Sequence, residues 1–81
     1  GRPKKLKLTY KEQRELETID SVIQELEQAI EEAEGQMARE TSDYVKLQKL
    51  TEEKQQLEVQ LEEKMERWVY LNDLAEQIAN Q

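Results

Sequence analysis

Residues 16–37 read LETIDSVIQELEQAIEEAEGQM, and their spacing decides the fold. Leu16, Ile19, Ile23, Leu26, Ile30, Ala33 and Met37 recur at alternating steps of three and four. That is the period of a helix whose apolar stripe meets another helix, a heptad seam. The positions between are mostly Glu, Gln and Asp, as a solvated face requires. Just upstream, Thr9-Tyr10-Lys11-Glu12 forms a capping box. The Thr9 hydroxyl can accept from the third helical amide while the Glu12 carboxylate reaches back to the Thr9 amide. Near its end Gly35 lowers helical stability, and just downstream Thr41-Ser42-Asp43 offers N-caps for a second helix.

That second helix carries Leu47, Leu50, Leu57, Leu61, Trp68, Leu71, Ala75 and Ile78 on one stripe, with Lys54 and Lys64 at two positions where apolar residues belong. A connection this short makes consecutive helices antiparallel neighbours. The sequence therefore predicts an all-α fold, an antiparallel two-helix coiled-coil hairpin with a basic extended N-terminal arm. Residues 1–8 form the arm and 9–81 the hairpin: helix one over about 9–38, a turn at about 39–42 and helix two over about 43–79. Facing residue numbers then add to about 83–84. This sets Leu16 against Trp68, Ala33 against Leu50 and Ile23 against Leu61, with Trp68 packed in the core. Lys54 faces Ile30 and Lys64 lies near Ile19, alkyl stems along the seam and ammonium groups in water. Extended backward, the register lays Leu8 and Leu6 beside Ala75 and Ile78.

Composition excludes most chemistry. The chain has 81 residues, no Cys and no His, so a disulfide framework, a thiolate nucleophile and the usual metal ligand and general base are missing. Gly1 and Gly35 stand alone and make no phosphate loop. Glu pairs such as Glu31-Glu32, Glu52-Glu53 and Glu62-Glu63 lie on solvent stripes, and a two-helix hairpin has no cavity to bury them for acid–base work. The fragment is expected not to be an enzyme. No apolar run approaches the roughly 20 residues of a membrane span, and there is no signal peptide, so a soluble, cytoplasmic chain is expected. The absence of an initiator Met predicts a domain of a longer protein.

Charge is distributed unevenly. The net charge is −7, yet residues 1–14 hold Arg2, Lys4, Lys5, Lys7, Lys11 and Arg14 against a single acid, Glu12. Such an arm suits phosphate contacts, with counterion release and salt-dependent affinity. The acidic body repels polyanions, which confines any contact to the arm end or to a small tip cluster of Arg39, Lys46 and Lys49. Tyr10 and Tyr70 lie off the strict seam at the arm end and are open to base stacking. Read as bland features, the arm is a solubilising linker and the hairpin an interaction or dimerisation coiled coil.

Two end motifs carry a family resemblance. Residues 7–17, KLTYKEQRELE, and residues 65–74, MERWVYLNDL, stand in the right order on either side of one coiled-coil hairpin. Over residues 4 to about 75 the chain resembles the C-terminal domain of ABC-F ATPases, most closely the Uup type. These are soluble proteins with two ATP-binding cassettes and no membrane segment. The resemblance implies that this domain follows the second cassette through a basic linker. ATP and Mg²⁺ would be cofactors only of those cassettes, which this fragment lacks, and the cassettes themselves would be its partners within the parent chain. It further implies an accessory DNA-binding coiled coil, or contacts with ribosomal RNA, since ABC-F relatives also act in translation on the ribosome. The expected phosphate ligands are Arg2, Lys4, Lys5, Lys7, Lys11 and Arg14. The rival expectation is a structural or self-associating coiled coil without nucleic-acid affinity.

Overall fold

The computed structural model describes residues 5–81. Two helices, α1 (Tyr10–Arg39) and α2 (Tyr44–Ala79), pack as one antiparallel hairpin 69 Å long and less than 20 Å across. Both termini of the pair therefore lie at one end and the turn at the other.

Local chemistry sets the helix ends. The capping box is present: the Glu12 amide donates to Thr9 Oγ1 (3.0 Å) and the Thr9 amide donates to Glu12 Oε1 (2.9 Å). α1 runs through Gly35 and stops at Arg39, with the Glu40 amide donating to the carbonyls of Gln36 and Met37. Of the three N-cap candidates, Asp43 takes the role, its Oδ1 accepting from the Lys46 amide at 3.0 Å. Glu40 closes the turn. Its Oε1 accepts from the Asp43 amide (3.0 Å), and its Oε2 pairs with Lys46 Nζ at 3.4 Å. No described residue needs a positive φ, so the turn requires no glycine.

The core is thin. Ile19, Ala33, Leu50 and Leu71 are buried, and the remaining seam residues except Trp68 are half-buried. Cross-helix pairs fix the register. Partner numbers add to 82 in Glu15–Arg67 and Glu12–Tyr70, and to 88 in Asp20–Trp68 and Glu34–Lys54. These flank pairs bracket the expected facing rule on its two sides. Lys54 and Lys64 are half-buried on the seam, and Lys54 Nζ reaches Glu34 Oε1 at 3.7 Å. This is the snorkelling geometry expected of a seam lysine.

Trp68 departs from expectation. It is not a core residue but 40% exposed, with indole Nε1 donating to Asp20 Oδ1 at 2.7 Å. Helices packed ~8–10 Å apart leave little depth for an indole, and its N–H needs an acceptor. The ring therefore lies over the flank, while Leu71, one turn on, is fully enclosed.

The arm also docks differently from the leucine packing expected. Leu8 is half-buried, but the Leu6 side chain remains exposed. What holds Leu6 is its backbone: its amide donates to Gln81 Oε1 (2.8 Å), and Gln81 Nε2 donates back to its carbonyl (2.7 Å). A side-chain amide thus pairs with a peptide unit much as a neighbouring strand would.

Candidate nucleic-acid interface

Of the six cations expected to meet phosphate, Lys5, Lys7, Lys11 and Arg14 fall among the described residues, and all four are exposed. Arg2 and Lys4 lie outside them. Lys5 and Lys7 are on the irregular segment that Gln81 ties to the end of α2. Lys11 and Arg14 follow on the first turns of α1, three residues apart and therefore on one face. The capping box joins the two pairs, because Thr9 fixes the angle at which the arm enters the helix.

Ion pairing separates these cations from half of those of the hairpin body, since Arg39, Lys49 and Lys64 are also without a described carboxylate partner. Lys46, Lys54 and Arg67 are each paired with a carboxylate of the same chain, at Glu40, Glu34 and Glu15. Lys5, Lys7, Lys11 and Arg14 pair with no described carboxylate. Two acids at this end of the hairpin are already engaged. Arg67 Nε donates to both oxygens of Glu15 (3.0 and 2.9 Å). Glu12 accepts from the Thr9 amide and from the Tyr70 hydroxyl (3.3 Å). The Thr9 amide, foremost, holds the Glu12 carboxyl below its ordinary pKa, with smaller help from the Thr9 and Tyr70 side chains and Arg67.

This small network was not foreseen from the sequence. Arg67 also lies over the Tyr70 ring, 4.8 Å from its centroid. One ring face of Tyr70 is thereby covered and its hydroxyl is committed. Tyr10 is different: it is 79% exposed beside Lys11 and presents a free aromatic platform. Trp68, with its N–H held by Asp20, lies on the hairpin flank.

The approach is directional. Asp73 and Glu76 of α2 line the side of the arm around Leu6. Lys11 and Arg14, on the first turns of α1, do not line that acidic stretch. The tip cluster is weaker still, since Lys46 is paired with Glu40 and only Arg39 and Lys49 remain unpaired there among the described residues. Among the described residues no helix is long and apolar enough to cross a membrane.

Comparison with known proteins places this hairpin. The family model for the ABC transporter C-terminal domain matches residues 7–73. A relative described as an uncharacterized ABC transporter ATP-binding protein, YfmR of Bacillus subtilis (strain 168), is 36% identical over 75 residues. That alignment covers 93% of this chain but 12% of the relative's length. No solved structure matches the chain. The matched span contains the capping box, all of α1, α2 as far as Asp73, and the Glu12–Tyr70 and Glu15–Arg67 locks. This chain belongs to the ABC transporter C-terminal domain family, as the C-terminal domain of an ABC-F-type protein.

Proposed function

We propose that this domain is an accessory nucleic-acid-binding module of a cytoplasmic ABC-F ATPase. In this reading it grips phosphates of DNA or ribosomal RNA through the arm end. One observation carries it: the exposed cations Lys5, Lys7, Lys11 and Arg14 gather at one end of an acidic hairpin, unpaired with any described carboxylate. Arg2 and Lys4 extend the same charge along the chain. Exposed Tyr10 adds a stacking surface for an unpaired base. Exposed Lys and Arg on such an arm suit phosphate contacts, which carry no base sequence. Binding is therefore to backbone and is sequence-tolerant. The domain itself performs no reaction; ATP and Mg²⁺ belong to the cassettes of the parent chain.

Fluorescence anisotropy of a labelled DNA duplex and a structured RNA, each at two salt concentrations, tests the proposal. Lys5→Glu, Lys7→Glu and Lys11→Glu together are expected to abolish binding. Single changes are expected to reduce the salt slope by roughly one each. Which nucleic acid binds more tightly decides between a DNA and a ribosomal target. Absence of binding at low salt rejects the proposal. The hairpin would then be a protein-interaction coiled coil, a reading that its exposed flank apolar residues favour.

A further inference from the structure

α2 carries apolar residues that the seam does not require. Met65 and Val69 stand four residues apart on its flank and are half exposed, at 52% and 50%. With Trp68 and with Ile23 of α1 they floor a shallow groove along the hairpin. The groove continues past Leu61. Flank positions of a solvated coiled coil ordinarily carry Glu and Lys. Here aliphatic side chains occupy them beside a half-exposed indole.

The rim has one sign. Asp20 borders the groove from α1, and Glu58, Glu62 and Glu66 border it from α2. Among the described residues no basic one lines either stretch. We propose that this groove docks a cationic amphipathic helix from a protein partner. Aliphatic anchors at i, i+3 and i+4 would seat against Met65, Trp68 and Val69, and flanking Lys or Arg would face the acids. A second copy of this chain is the poorer occupant. Its net charge is −7 and its own stripes are bordered mostly by Glu, so copies meet like charge with like. The groove lies off the arm, and it serves a protein whether or not the arm binds nucleic acid.

Trp68 supplies the readout, because it is the only tryptophan in the sequence and it lines the groove. The probe is a synthetic helical peptide with Leu at helical spacing and Lys elsewhere, titrated into the full chain while Trp68 emission is followed. Two control peptides replace Lys by Glu, or Leu by Ser. The expected result is a saturable blue shift with the Leu/Lys peptide alone. Met65→Ser with Val69→Ser should raise its Kd by roughly tenfold or more, as the loss of two apolar anchors implies. Both residues are half exposed, so the variant is expected to fold, and circular dichroism checks this. A Lys5→Glu, Lys7→Glu variant should bind the peptide no more weakly. No shift, an equal shift with the Ser peptide, or undiminished affinity in the groove variant would each overturn the proposal. A shift that grows with chain concentration without peptide would also overturn it, assigning the groove to a second copy.

Discussion

Gly35 sits inside α1 without any of the usual reasons for glycine. Its φ is not positive, and a Cβ built there would meet only the far end of the Arg39 side chain, at 3.4 Å. Glycine in a helix interior costs about 0.5–1 kcal/mol relative to alanine, because the unfolded chain has more freedom to lose. Gly35→Ala is therefore expected to stabilise the hairpin by about that amount. The measurement is a urea unfolding curve, read as a higher midpoint at unchanged slope. A lower midpoint would mean that α1 needs the glycine for a bend or for a neighbour seated against its backbone. The weakening of α1 that Gly35 suggests from sequence is thus an energetic one. It does not end the helix, because the Glu40 amide still caps onto Gln36 and Met37 four and three residues back.

Each helix is held by its seam more than by its propensity, and the seam is where sequence and structure agree and then part. Three-and-four spacing assigns a residue to a helical face. That is why the two helices, their antiparallel order and the half-buried seam lysines were legible. Spacing carries no information about depth. Trp68 stands at a correct heptad position, yet its size and its N–H put it over the flank against Asp20. Leu71, also on the seam, is the residue wholly enclosed. Contacts between residues far apart in sequence were equally hidden. The Gln81–Leu6 pairing and the Glu15–Arg67 and Glu12–Tyr70 locks depend on rotamers that no periodicity encodes. At the candidate interface, the charge of the arm was readable, but which neighbouring acids were already engaged was not. The seam also yields a prediction. Lys64 is half-buried where an apolar residue belongs. Lys64→Leu should raise stability by about 1 kcal/mol through added apolar burial. It should also loosen register and promote association between hairpins, because a polar seam residue specifies both. Unfolding midpoint and sedimentation measure the two effects separately. Higher stability in a strictly monomeric variant would show that Lys64 has no part in specificity.

Over the whole molecule, stability rests on opposing electrostatic terms. Nineteen acids against twelve bases repel one another along a rod 69 Å long. Two of those acids nonetheless hold the ends together. Glu12 has its pKa lowered chiefly by the Thr9 amide, and Glu40 has its pKa lowered chiefly by the Asp43 amide. A carboxyl with a lowered folded-state pKa binds fewer protons folded than unfolded. Its contribution is complete above the ordinary carboxylate pKa of about 4.3 and is lost as pH falls through that value and below. General relief of acidic repulsion runs the other way, stabilising the rod as pH drops. Wild-type melting against pH mixes the two, whereas comparison with a variant isolates one. Glu12→Gln keeps a carbonyl acceptor for the Thr9 amide but removes the charge. Its unfolding midpoint should fall below wild type at neutral pH, and the gap should close as pH drops below about 4. Glu40→Gln should behave in the same way independently, since the two carboxylates sit at opposite ends of the hairpin. The double variant should then show the sum of the two gaps, as distant sites do. A gap that stayed constant from pH 7 to pH 3 would show that shape and hydrogen bonding at the helix ends matter there, and ionisation does not.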